Sequence, residues 1–429
     1  MLLTSSAILV LLKCRFKVKS PGAYSKKCVK SWHMYHRLAK PLLSNSFFLL
    51  GARGTGKTSL LEKLFPPSER CIWIDLLDDA LYQRLMRNPS YFEEIIPADL
   101  PCDSWVVADE IQRIPSLLNY VHRFIEKRGL KFALSGSSAR KLKRGGANML
   151  AGRAFNNYLF PLTSTELGDD FKLHEVLNWG SLPKTLLSNT AEEKREYLRS
   201  YVNNYIRQEI KEEQVVRQLE PFLRFLEAAA QCNGKIINAS QIGRDSGTDA
   251  KAVIRYYEIL SDTLLGFFLD PFHRSVRKIQ TAKSKFYLFD LGVTRAMRGD
   301  LTTDVVPQSY QYGDAFEQFF ILECHRLRTY LRFDERAFYL RTKDGAEIDL
   351  VIQRPGGELY AIEIKSSEEV NSERLGPFMA LARDIKATAT WIVSRERYAR
   401  HLADSVEILP WRDALQRLYP GAFYSPLGK

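Results

Sequence analysis

Residues 51–58, GARGTGKT, join three glycines to a lysine and a threonine in the spacing G-x-x-x-x-G-K-[ST]. Glycines permit a tight path along which backbone N–H groups approach phosphate oxygens. The helix start that follows adds partial positive charge. Gly51, Arg53, Gly54, Thr55, Gly56, Lys57, Thr58 and Ser59 are therefore the expected contacts of ATP. Lys57 would reach the β- and γ-phosphates, and Thr58 would hold Mg²⁺.

A second constellation lies at residues 105–115, WVVADEIQRIP. An apolar run ends in Asp109, the expected Mg²⁺ ligand, and Glu110, the expected general base for the attacking water. In KFALSGSSARKL, residues 131–142, Ser135 and Ser137 either sense the γ-phosphate or form an ordinary turn. The basic run Arg140, Lys141, Lys143 and Arg144 reads as a solvated loop or a nucleic-acid contact. Arg153 is either a finger toward nucleotide, in this chain or from a neighbouring copy, or a surface ion-paired residue.

A third constellation is GAEIDLVIQRPGGELYAIEIKSS, residues 345–367. It reads as two alternating strands about a three-residue loop at 355–357. That register opposes Leu350 to Ile362 and Asp349 to Glu363, with one face wholly apolar. The other face carries two carboxylates side by side and Lys365 beyond them. Like charges placed opposite each other destabilise a sheet. A divalent cation would reverse that effect, and the spacing fits PD-(D/E)XK. Asp349 and Glu363 are the expected metal ligands, and Lys365 is the expected catalytic lysine. Glu317 is a third candidate ligand, although Asp314 and Glu317 are also spaced like a capping box, and Glu347 could stand in. Val351 and Ala361 on the charged face imply partial cover, which makes unpaired carboxylates costly.

These residues need elements to position them. Strand-like runs occur at 46–50, 71–75, 105–108, 131–135 and 156–160, with helical stretches between most of them. That alternation predicts a five-stranded parallel sheet covered on both faces. Residues 192–210 carry apolar or aromatic side chains at 197, 198, 201, 202, 205 and 206, a helical stripe with core packing as its ordinary meaning. Residues 237–265 read as helix, Asp245-Ser246-Gly247 turn, then a helix capped by Thr248. With a wing at 285–290, this suggests a winged helix in which Lys251 and Arg255 face DNA, or an interdomain module without that role.

Composition bounds these readings. The chain has 429 residues and six scattered cysteines without a C-x-x-C pair, which fits a reducing compartment. The net charge is +12, but residues 1–40 hold nine Lys or Arg and no Asp or Glu, so the remainder is close to neutral. The opening apolar run is too short to span a bilayer and lacks a preceding basic region. No membrane span and a cytoplasmic location are expected.

The segments GARGTGKTSL, VVADEIQR, LSGSSARKL, LAGRAFNNYLFPLTSTEL and GSLPKTLL resemble a bacterial and archaeal family of AAA-type P-loop ATPases. Members carry a C-terminal domain of unknown function related to PD-(D/E)XK nucleases. The resemblance runs from about residue 34 to 400 and is most specific at 150–187. It implies an α/β chain with an AAA-like P-loop NTPase domain at 34–165 and a helical lid at 166–230. A winged-helix-like module at 231–300 and an α/β nuclease-like domain at 301–429 would follow, with 1–33 a basic extension outside the core. The expected function is ATP hydrolysis coupled to action on DNA or RNA, in a chain that also assembles with its own copies. The alternative is a regulatory switch that binds protein partners through an inactive nuclease-like domain.

Overall fold

The computed structural model describes residues 35–66, 68–138, 150–206, 219–273, 283–403 and 406–423. The described residues from Arg37 onward form one compact unit. The basic extension at 1–33 and the basic run at 140–144 lie outside the described residues.

The first sheet contains β1 (Ser46–Leu50), β2 (Cys71–Asp75), β3 (Trp105–Asp109), β4 (Lys131–Gly136) and β5 (Ala154–Tyr158). Their spatial order is β2-β3-β4-β1-β5, and every pairing is parallel. The alternation seen in the sequence thus gives the expected five-stranded sheet, with β5 beginning two residues earlier than its apolar pattern suggests. Alternate residues of β1 enter different cores. Phe48 and Leu50 pack with Ile74, Val106 and Phe132, whereas Phe47 and Leu49 pack with Leu61, Val107 and Ala133. Burial on both faces explains the continuous apolar runs.

Helices follow. Ala191–Ser200 runs into a wider π-helical turn at Tyr201–Ile206, and Leu219–Gln231, Ala239–Ser246 and Ala250–Asp262 come next. Gly247 closes Ala239–Ser246 in the left-handed region. Asp249, not Thr248, caps the following helix, accepting from the Ala252 N–H at 2.8 Å. Both side chains are capable caps, and the helix begins one residue later than Thr248 would allow.

The second sheet has eight strands among the described residues, in the order β12-β13-β11-β10-β9-β8-β6-β7. Its strands are β6 (Gly266–Pro271), β7 (Lys285–Leu288), β8 (Arg336–Arg341), β9 (Glu347–Gln353), β10 (Leu359–Ile364), β11 (Ala389–Ser394), β12 (Arg400–Ala403) and β13 (Val406–Pro410). β7 occupies the first part of the wing strand expected at 285–290 and pairs with β6, but this hairpin does not stand free. β6 joins β8 through Asp270–Phe338 and Pro271–Tyr339. The β9–β10 hairpin takes the expected register, with Leu350 opposite Ile362 and Ala361 opposite Val351.

The helix Tyr310–Tyr330 falls between β7 and β8 in the chain and bonds to both parts of the molecule. It is capped by Ser309, so Asp314 and Glu317 sit within the helix and do not form a capping box. No helix among the described residues is long and apolar enough to cross a membrane.

Candidate nucleotide site and carboxylate cluster

The loop between β1 and the helix Lys57–Leu64 lies at the carboxyl end of the parallel sheet. Gly54 and Gly56 have φ of +81° and +95°, values that L side chains rarely adopt. Gly51 needs its missing side chain for a different reason. A Cβ there would lie 2.2 Å from the Leu159 carbonyl oxygen, against the chain leaving β5. Lys57 is buried and donates to the carbonyls of Gly51 at 2.8 Å and Ala52 at 3.3 Å. Thr55 is buried too and donates to the Ala52 carbonyl, whereas Thr58 and Ser59 open the helix on its exposed side.

β3 delivers the acidic pair beside this helix. Thr58 Oγ1 donates to Asp109 Oδ2 at 2.7 Å, and Ser135 Oγ donates to Asp109 Oδ1. Ser135 also accepts from the Glu110 N–H at 3.0 Å. Glu110 adopts φ 57°, ψ 43°, an unfavourable conformation for a residue with a Cβ and one that clusters at functional sites. Gln112 donates to Glu110 Oε2 and, at 2.9 Å, to Ser137 Oγ. With Gln112 linking Glu110 to Ser137, these residues form one hydrogen-bonded set next to the loop. Hard oxygen donors of this type suit Mg²⁺, and Thr58 and Asp109 are the residues that could hold it.

Arg153 does not join them. It precedes β5, whose Ala154 pairs with Ser46 while Tyr158 pairs with Leu50. The loop follows Leu50, so Arg153 lies at the opposite end of the sheet, roughly 17 Å along the strand from the level of Leu50. There it pairs with Glu126 on the surface. Within one chain it is not a nucleotide contact.

Sequence reading missed the groups that cover and support the loop. Tyr201 donates to the Arg53 carbonyl at 2.8 Å, and the Arg53 guanidinium lies 4.5 Å from the centre of the Tyr205 ring. A Cβ on Gly54 would meet the Tyr197 hydroxyl at 2.9 Å. The stripe at 197, 201 and 205 was legible as a buried face, but not what it faces. Arg37, hidden in a basic count, bonds the Thr55 carbonyl at 2.7 Å.

The second cluster surrounds the β9–β10 hairpin. Asp349 Oδ2 accepts from the Ile364 N–H at 2.8 Å, just beyond Leu350 and Ile362, the last paired residues of the hairpin. Lys365 Nζ contacts Glu363 Oε1 at 2.5 Å, while Glu363 Oε2 is buried and has no hydrogen-bond partner. Burial, Glu363 and Glu317 push the Asp349 carboxyl well above its usual range. Burial also raises Glu363, with Lys365 opposing it.

β7 contributes a lysine that spacing did not reveal. Lys285 is 5 % exposed and lies 2.6 Å from Glu347 Oε1 and 3.5 Å from Glu317 Oε1. Tyr287, two residues along the same strand, donates to Glu317 Oε1 at 2.6 Å. Burial disfavours the Lys285 charge, but Glu317, Glu347 and Asp349 outweigh it and raise its pKa. Glu317 is thus near the other carboxylates but bonded to Tyr287 and Lys285. Among the described residues, no group of three or more His, Cys, Asp or Glu side chains is arranged to hold a metal ion.

The parallel sheet, its glycine loop and the acidic strand end together form an AAA-like α/β domain. Residues 44–168 match a family model described as an AAA domain. Residues 170–304 and 312–414 match two separate domains of unknown function, DUF8612 and DUF4143. Uncharacterized proteins of Mycobacterium tuberculosis and Mycobacterium bovis are each 22% identical over 307 residues, 71% of this chain and 68% of theirs. A DNA polymerase III gamma subunit-related protein of Thermotoga maritima aligns at 13% identity over 66% of this chain and 95% of its own. Its TM-score is 0.22, too low to bear on the fold.

Proposed function

We propose that the chain binds ATP with Mg²⁺ and hydrolyses it. The observation that carries this reading is the bonded set Thr58, Asp109, Ser135 and Glu110 beside the glycine loop. Backbone amides of the loop and Lys57 bind the phosphates. Thr58 and Asp109 would hold Mg²⁺, which supplies charge to offset that of the phosphates. Glu110 takes a proton from the attacking water, and Ser135 fixes both acidic residues. Lys57→Ala tests the assignment: nucleotide affinity should fall on the order of 100-fold, and unchanged affinity overturns it.

The nucleotide state acts, in this reading, on the C-terminal carboxylate cluster. Asp349 and Glu363 are the groups that would hold a divalent cation, which would supply the charge to activate water, while Lys365 holds Glu363 and supplies a second positive charge. The orphaned Glu363 Oε2 and the raised Asp349 pKa support a site short of positive charge. In this reading that cluster cleaves nucleic acid, and the exposed Lys251 and Arg255 provide a further surface for DNA or RNA. One observation favours the second reading, a switch whose nuclease-like domain only binds partners. Lys285 already supplies a cation to Glu317 and Glu347. Cleavage assays with Mg²⁺ or Mn²⁺ on the wild type, Lys57→Ala and Lys365→Ala separate the two. The first reading expects cleavage that Lys365→Ala abolishes while ATP hydrolysis survives. Absence of cleavage with either metal leaves the switch.

A further inference from the structure

The phosphate loop is supported by a buried arginine that precedes the first strand. Arg37 Nη1 donates to the Thr55 carbonyl at 2.7 Å, and Nε donates to Glu166 Oε1 at 3.0 Å. Nη2 donates to the Phe160 carbonyl at 2.6 Å and to the Tyr330 hydroxyl at 3.1 Å. The Arg37 side chain is 9 % exposed and that of Glu166 fully covered. A charge placed so deeply requires partners in fixed directions, which is what a planar guanidinium selects. A Cβ built on Gly56 would come within 3.6 Å of Arg37 Nη1, so the guanidinium lies directly against the loop.

Tyr330 is the last residue of the helix Tyr310–Tyr330, and its hydroxyl also accepts from the Phe160 N–H at 2.9 Å. The helix is pinned to the first domain at two further points. Glu323 accepts from the Ser164 N–H at 2.9 Å, and Arg326 donates to the Leu162 carbonyl at 3.1 Å. Toward its other end, Glu317 accepts from Tyr287 in the carboxylate cluster. From Glu317 to Tyr330 the helix spans about 20 Å. Phe160 and Thr329 also line a cavity of about 490 Å³ beside this joint.

We propose that Arg37 is a positioning residue of the phosphate loop and that Tyr330 makes its setting depend on the C-terminal helix. The nucleotide site is then incomplete without a residue some 270 positions beyond it, and one helix connects that site to the carboxylate cluster. The inference rests on the loop being the ATP site, and its test keeps the two failures apart.

Full-length wild type, Tyr330→Phe and Arg37→Lys are compared by amide hydrogen exchange without nucleotide, by affinity for a fluorescent ATP analogue with Mg²⁺, and by thermal midpoint. Arg37→Lys keeps a cation beside Glu166 but cannot reach Thr55, Phe160 and Tyr330 together. Both variants should exchange faster at residues 54–58 while β3 is unchanged. Affinity should fall roughly three- to tenfold for Tyr330→Phe and more for Arg37→Lys, with midpoints close to that of the wild type. Unchanged exchange at 54–58 in both variants overturns the inference, whether or not the wild type binds nucleotide. So does a lowered midpoint with affinity retained, which would mark a structural role alone. A wild type that binds no nucleotide overturns the ATP reading instead.

Discussion

Thr58 Oγ1 lies 2.7 Å from Asp109 Oδ2, although 51 residues separate them in the chain. The contact joins the first turn of the loop helix to the end of β3, two strands away in the sheet. It places two hard oxygen donors at one point, as an Mg²⁺–nucleotide site requires. Asp109→Asn should therefore weaken ATP binding on the order of tenfold in Mg²⁺ and much less in EDTA. Calorimetric titration under both conditions checks this, and equal losses would show that Asp109 acts without metal.

Glu110 contributes chemistry more than binding in the proposed mechanism. Glu110→Gln retains size and hydrogen-bonding capacity but not the base. Hydrolysis should fall by about 10²- to 10⁴-fold while ATP affinity changes little. Phosphate release under single-turnover conditions gives the first number, and equilibrium binding gives the second.

Asp349 binds its proton more tightly in the folded chain than in the unfolded one, because burial, Glu363 and Glu317 all disfavour its charge. Its contribution to stability is complete below the unfolded carboxyl pKa of about 3.9 and is lost as pH rises through the raised folded value. Asp349→Asn removes that loss. Its thermal midpoint should exceed that of the wild type by roughly 2–4 °C at pH 8 and match it near pH 4. Melting curves across that range provide the check. Mn²⁺ at pH 8 should raise the wild-type midpoint, but not that of the variant, if the carboxylates hold metal.

Lys285 is the buried counter-charge of Glu317 and Glu347. Lys285→Met leaves two carboxylates facing each other without it, and the expected cost is about 3 kcal/mol. Denaturant unfolding measures this directly. A neutral effect would mean that the carboxylates take up protons or a cation in its place.

Gly180, in the GSLPKTLL segment, has φ +72°, and a Cβ there would lie 2.1 Å from Asp290 Oδ1. Asp290 accepts from the Ser181 N–H at 2.8 Å and caps the helix Leu291–Arg298. Gly292 passes equally close on the other side, where a Cβ would meet the Trp179 carbonyl oxygen at 2.1 Å. Gly180→Ala should thus destabilise the protein by about 2 kcal/mol or more, seen as a lower thermal midpoint.

What the sequence determined by itself was local. The spacing of Gly51, Gly54, Gly56, Lys57 and Thr58 specified a phosphate loop because only that backbone path needs those residue types together. The alternation of strands and helices specified a parallel sheet, and the apolar face of 345–367 specified the hairpin register. Tertiary structure decided which distant groups meet. Arg37 looked like one charge among nine in a basic segment, and Lys285 like one residue of a wing, because neither belongs to a periodic pattern. Arg153 had the residue type of a finger, yet the direction of β5 carries it to the end of the sheet away from the loop of its own chain. Patterns of burial are written along the chain at short range, whereas the pairing of a buried charge depends on elements hundreds of residues apart, and only folding brings those together.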